Sequence, residues 1–128
     1  MQHDLIADAL SALKNAERVG KSECVVKASK LLSNIFRVMK QEGYIQDFEF
    51  IRDTRGGKLR VKLHGKILDC NVIRPRFSLT LKEFEKWEKR FLPSYKSGIL
   101  ILTTPKGIMS HRKAKELRTG GKLLCFVY

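Results

Sequence analysis

Residues 98–128 read GILILTTPKGIMSHRKAKELRTGGKLLCFVY, and the changes of texture along them decide the fold. An apolar strand over 99–102 comes first, followed by the polar loop Thr103-Thr104-Pro105-Lys106-Gly107. A short basic helix over 111–118, a turn at Gly120-Gly121 and a last apolar strand over 123–128 complete the stretch. Its cations are Lys106, Arg112, Lys113, Lys115, Arg118 and Lys122, against the single acid Glu116. Hydroxyls, backbone amides at glycines and dense positive charge are what a polyphosphate surface requires. The loop lacks the GxxxxGK[ST] spacing of a nucleotide-binding loop, and no metal-ligand spacing occurs. Taken alone, Gly120-Gly121 reads as a plain turn, and Arg112-Lys113-Ala114-Lys115 as a solvated helix face. Added to Arg118 and Lys122, however, that run favours phosphate contact.

Charge extends the same reading to the whole chain. Its 128 residues hold 26 Lys plus Arg against 13 Asp plus Glu, a net charge of +13. Such a surplus repels itself in isolation and is relieved by a polyanion, most often nucleic acid. The apolar fraction of 43% is enough for a core. An anionic membrane is the weaker alternative, because no apolar run of bilayer length is present. Cys24, Cys70 and Cys125 are odd in number, far apart and outside any CxxC, so they read as reduced, buried core thiols. MQHDLIADAL does not resemble a secretory or transit peptide, which points to the cytosol.

Upstream of 98, periodicity switches between 3.6 and 2. Leu5, Ile6, Ala9, Leu10 and Leu13 predict a helix over 4–16 with Asp4 as its cap. The β-branched run 23–28 predicts a strand, and a second helix begins near Ser29. That helix carries Leu32, Ile35, Phe36 and Met39 on its apolar face and ends at Gly43. A strand over 44–52, a turn at Arg55-Gly56-Gly57-Lys58 and a strand alternating Leu59, Val61 and Leu63 with polar residues follow. Residues 67–73 predict another strand, stopped at Arg74-Pro75. Thr80-Leu81-Lys82-Glu83 matches a capping box, and Leu81, Phe84, Trp87, Glu88 and Phe91 continue at helical spacing until Pro93. The expected fold is α+β in two small packed subdomains. Residues 1–66 form an N-terminal α-β-α-β-β unit, and residues 67–128 a mostly β unit with short helices. The first holds 13 basic and 8 acidic side chains and the second 13 and 5, which centres the binding surface on the second.

Other chemistry finds little support. Phe36, Phe48, Phe50, Phe84 and Trp87 fall on apolar faces and read as core, whereas Phe126 and Tyr128 alternate and read as half-exposed. His3, His64 and His111 are isolated, and Asp47, Glu49 and Asp53 read as solvated charges beside a strand. An RNA-processing enzyme would have only His111 in the basic region for acid–base work. A stand-alone RNA- or DNA-binding module would share the charge and the loop.

Four segments in order, DLIADALSALKNA, ASKLLSNIFRVMKQEGYI, ILTTPKGIMSHRKAKEL and TGGKLLCFVY, resemble the family of small-subunit ribosomal protein eight. The resemblance runs from Asp4 to Tyr128, and VIRPRFSLTLKEFEKWEKRFLPS is similar to the eukaryotic and archaeal branch, with its extra helix. It implies a two-part α+β fold and a primary rRNA binder without enzymatic chemistry, cofactor or small-molecule substrate. The target would be a helical element in the central domain of small-subunit rRNA, and binding would support platform assembly beside neighbouring small-subunit proteins. The family's contacts map to Thr103, Thr104, Lys106 and Gly107, to Gly120, Gly121 and Lys122, and to Asn15, Ser29 and Lys30. Arg112 and Lys113 would add phosphate contacts, while Lys14, Lys27 and Lys30 would hold a neighbouring RNA segment. Pro105 stands where the bacterial loop has a serine, removing a hydroxyl and an N–H while pre-shaping the turn. Thr103 likewise replaces a serine but keeps the hydroxyl.

Overall fold

The computed structural model describes residues 5–74, 76–94 and 97–128. His3, the cap expected at Asp4 and the break expected at Pro75 lie outside the described residues. The chain divides into two compact units, Met1–Cys70 and Asn71–Tyr128.

In the first unit, helix α1 (Leu5–Arg18) buries Ile6, Ala9, Leu10, Leu13 and Ala16, the stripe its periodicity demands. Strand β1 (Glu23–Lys27) leads to α2 (Lys30–Gln41), whose start is held by the Ser29 hydroxyl accepting from the Leu32 N–H at 3.0 Å. Its end closes as a Schellman motif. Gly43, at φ 84°, donates to the Lys40 carbonyl at 3.1 Å, and Tyr44 donates to Met39 at 2.9 Å. The His64 ring bonds the Gly43 carbonyl at 2.8 Å, a structural contact. Strands β2 (Asp47–Ile51) and β3 (Lys58–Lys62) complete an antiparallel sheet of order β1-β3-β2. Central β3 buries Leu59 and Val61 opposite Val26 and Cys24 on one side and Phe50 and Phe48 on the other.

Three expectations for this unit are corrected. Residues 52–57 form a longer loop than a four-residue turn, organised by Asp53, whose carboxylate accepts from the Arg55 and Gly57 amides at 2.7 Å each. Asp53 is therefore a turn-former. Phe50 is 59% exposed and not core, because it sits at the end of an edge strand with its ring laid over the Gly57 backbone. Cys24 is half-buried, while Cys70 and Cys125 are buried thiols as expected, and none of the three is in a disulfide.

The second unit is a five-stranded antiparallel sheet with two short helices. Strand β4 (Cys70–Val72) is all that remains of the strand expected over 67–73, since Leu68 is 81% exposed in a bend. Strand β5 (Ser78–Leu79) is new. A 3-10 turn (Leu81–Glu83) precedes α3 (Phe84–Phe91). The capping box closes side chain to side chain, Thr80 hydroxyl to Glu83 carboxylate at 3.0 Å, and Leu81 is left exposed. Strands β6 (Ile99–Thr104) and β7 (Gly107–Ser110), helix α4 (His111–Glu116) and strand β8 (Gly121–Val127) follow. The order is β4-β8-β6-β7, with β5 also pairing with β8. The core joins Leu100, Leu102, Met109, Ala114 and Leu123 to Phe84, Trp87 and Leu92.

Candidate nucleic-acid interface

Thr103 to Gly107 is the tip of a β-hairpin, not a strand-to-helix loop. Thr104 pairs with Gly107 across the two-residue turn Pro105-Lys106. The Thr104 hydroxyl accepts from the Lys106 amide at 3.1 Å and donates to the Gly107 carbonyl at 2.7 Å, and Gly107 adopts φ 118°. Only 9% exposed, Thr104 uses its hydroxyl to build the turn. Thr103 is half-buried, while Lys106 and Gly107 are exposed at the tip. Strand β7 escaped the sequence reading because its four residues GIMS show too little alternation to register.

Ser110 caps α4 by accepting from the Lys113 amide at 3.2 Å. After one and a half turns the helix closes as a second Schellman motif, with Arg118 N–H to Lys115 carbonyl at 3.1 Å and Thr119 N–H to Ala114 carbonyl at 3.0 Å. The left-handed position usually given to glycine is here Arg118, at φ 52°. Lys106 reaches across to donate its ammonium to the Leu117 carbonyl at 3.3 Å, which ties the hairpin tip to the helix end. Replacing Arg118 by glycine should raise stability by about 1 kcal/mol by relieving the strained backbone. Thermal melts on the variant check the sign.

Gly120 and Gly121 do not form a turn. Gly121 opens β8 and Gly120 directly precedes it, and they are glycine because neighbouring strands crowd them. A Cβ on Gly120 would lie 2.3 Å from the Leu79 carbonyl oxygen, and one on Gly121 would lie 2.2 Å from that of Thr103. The register then places Lys122 opposite Thr103 on β6 and opposite Ser78 on β5. One end of the sheet thus gathers Lys106, Arg118 and Lys122, all exposed, with Thr103, Ser78 and Gly107. Ser78 carried no signal in the sequence, because a two-residue strand has no period. Arg118, already among the cations of this stretch, owes its place to its position as the C′ residue of the basic helix.

Other candidate cations are placed elsewhere or already paired. Arg112 donates to the Gly98 carbonyl at 3.1 Å, at the opposite end of β6. Exposed Lys113 lies 3.8 Å from Glu116. Lys115 pairs with Glu88 of α3, a carboxylate only 6% exposed. In the first unit, Lys14 pairs with Asp69 at 2.7 Å, and that carboxylate holds its ammonium pKa above the ordinary value. Asn15, Lys27 and Lys30 are exposed, whereas the Ser29 hydroxyl is engaged as a helix cap.

His111 is 1% exposed and belongs to the core. Its Nδ1 accepts from the Leu100 N–H at 3.0 Å, so Nε2 carries the proton, 3.4 Å from Glu88. Burial pushes its pKa from near 6.5 to about 4, outweighing the upward pull of Glu88, while Lys115 and Arg112 lower it further. The unfolded chain takes up this proton below about 6.5, and the folded chain only near 4. Stability contributed by neutral His111 is therefore complete above 6.5 and lost, on the order of 2–3 kcal/mol, as pH falls from 6.5 to 4. Urea melts at pH 7 and 4.5 should show this drop, and His111→Asn should flatten it. Among the described residues no group of His, Cys, Asp and Glu could hold a metal ion, and no helix is long and apolar enough to cross a membrane.

Fold and surface together define a small, strongly basic α+β protein with a cation-rich rim of hydroxyls and tight backbone at one end of an antiparallel sheet, the chemistry of a nucleic-acid-binding protein. The family model of ribosomal protein S8 matches residues 4–128. Small ribosomal subunit protein uS8 of Methanococcoides burtonii is 53% identical over 126 residues, covering 98% of this chain and 97% of the relative. The protein of the same name from Archaeoglobus fulgidus is 50% identical over 129 residues, covering both chains in full. The chain belongs to the ribosomal protein S8 family.

Proposed function

We propose that this protein is a structural constituent of the small ribosomal subunit in the cytoplasm, acting by binding and not by chemistry. Residues 71–128 form its rRNA-binding unit, recognising a helical element of the central domain and supporting platform assembly beside neighbouring small-subunit proteins. The observation that carries the reading is the meeting of Lys106, Arg118 and Lys122 around Thr103, Ser78 and Gly107. Lysine and arginine supply salt-sensitive affinity to phosphates, while the rigid hairpin tip reads the shape of an irregular RNA helix. Thr104, Gly120 and Gly121 act by shaping that surface. In the N-terminal unit Asn15, Lys27 and Lys30 hold a second RNA segment. Lys14 contributes less because Asp69 already neutralises it.

The test is a salt-titrated binding assay on the central-domain fragment of small-subunit rRNA, with transfer RNA and duplex DNA as competitors. Tight binding that survives competitor excess is expected. Binding that collapses equally for every polyanion would reduce the site to a non-specific basic surface, as in a stand-alone nucleic-acid module.

A further inference from the structure

Helix α3 carries a second set of cations, and their setting differs from that of an ordinary solvated face. Phe84, Trp87 and Glu88 turn inward, leaving Glu85, Lys86, Lys89 and Arg90 exposed. Glu85 is neutralised by Lys89 one turn on, at 3.4 Å. Lys86 and Arg90, also one turn apart, have no carboxylate partner among the described residues. They lie instead on aromatic rings. The Arg90 guanidinium is 5.2 Å from the ring centre of Trp87, 5.5 Å from Phe77 and 5.4 Å from Phe91, and the Lys86 ammonium is 5.2 Å from Trp87. Beneath them runs a chain of stacked rings, Phe77–Trp87 at 4.4 Å, Trp87–Phe91 at 6.0 Å, Phe91–Phe126 at 5.7 Å and Phe126–Tyr128 at 5.9 Å.

Aromatic faces attract these cations without cancelling their charge. They also restrict the side chains, so little further order is lost when an anion binds. The patch is continuous with the surface described above. The Phe77 carbonyl accepts from the Leu123 N–H at 2.9 Å, and the next residue, Ser78, pairs with Lys122. Phe77 thus joins the ring under Arg90 to the strand that pairs with Lys122, while the nearby acid Glu83 accepts from the Thr80 hydroxyl at 3.0 Å.

We propose that Lys86 and Arg90 form a second phosphate grip, which binds the backbone of the same RNA beyond the segment held at the hairpin tip. The inference rests on the RNA-binding reading above. With two extra phosphates neutralised, the salt dependence of binding is steeper than the hairpin end alone would produce.

The test uses the full-length protein carrying Lys86→Gln and Arg90→Met, which keep the side-chain stems over the rings and remove the charges. A parallel Lys86→Glu, Arg90→Glu variant reverses them, and Trp87 fluorescence and thermal melts report whether the ring chain stays packed. On the central-domain fragment, the neutral variant is expected to bind roughly tenfold more weakly, with a log–log salt slope shallower by about 1.4 to 1.8. It should also lose hydroxyl-radical protection in a segment next to the one lost by Lys106→Glu. An unchanged slope and footprint in the packed neutral variant would overturn the inference. So would RNA binding that stays intact while assembly with neighbouring ribosomal proteins fails, since that assigns the ridge to a protein partner. Failure of the wild-type protein to prefer the rRNA fragment would overturn the underlying reading, and this inference with it. Loss at Lys106→Glu without loss at the α3 variants removes only the second grip.

Discussion

Lys106→Glu combined with Lys122→Glu is expected to weaken binding to the rRNA fragment by roughly a hundredfold or more at physiological salt. In the proposed interface the two substitutions remove two phosphate contacts and put two repulsions in their place. At about 0.7–1 kcal/mol for each of the four changes, the loss is near 3–4 kcal/mol, at 1.4 kcal/mol per tenfold. Both residues are exposed. The fold loses only the hydrogen bond from Lys106 to the Leu117 carbonyl, worth about 1 kcal/mol or less. Circular dichroism and melting should therefore stay close to wild type. Lys40→Glu is the matched control, because Lys40 lies on α2 of the first unit, pairs with Asp47 at 3.1 Å and has no place in the proposed interface. A double variant that binds as well as wild type, or no worse than the Lys40 control, would count against the site.

The largest loss of stability is expected at Gly121. An added methyl group would meet the Thr103 carbonyl oxygen at 2.2 Å, the Thr103 carbonyl carbon at 3.0 Å and the Thr104 methyl at 3.0 Å. Two of those atoms are backbone in the β6–β8 pairing, so a flexible side chain cannot swing away to relieve the clash. Gly121→Ala should cost about 3 kcal/mol or more and lower the melting temperature by about 10 °C. Gly56→Ala is the comparison. There a methyl meets nothing within 4 Å, and only the positive φ of 93° is strained, so about 1 kcal/mol is expected. Were Gly121 instead a phosphate cradle in an open turn, Gly121→Ala would reduce RNA affinity while leaving melting unchanged.

Much of the fold is legible along the chain where local physics decides it. Ser29, Gly43 and the apolar stripes of α1 and α2 were readable because caps and helical periodicity involve neighbours three or four residues apart. Alternation likewise located Leu59 and Val61. Legibility fails where an element is too short to show a period. Strands β5 and β7 have two and four residues, and β4 has three in place of the seven expected. Phe50 was misjudged for another reason. Its alternation with Phe48 is real, but burial at the end of an edge strand depends on what lies across it.

By itself the sequence determined the α+β class, the net charge of +13, the concentration of cations and hydroxyls toward the C-terminal half, and family membership through ordered segments from 4 to 128. Tertiary structure alone decided which cations are paired and which gather at one end of the sheet. Lys14 is neutralised by Asp69, Lys115 by Glu88, and Arg112 is turned to the Gly98 carbonyl, whereas Lys106, Arg118 and Lys122 meet around Thr103. It also decided that Gly120 and Gly121 are spaces for passing backbone and that His111 is core. The physical reason is common to all of these. Charge and composition belong to residues taken singly, but a pairing, a close approach or a burial is a property of two segments far apart in sequence. Only strand register and helix packing bring such segments within reach of each other.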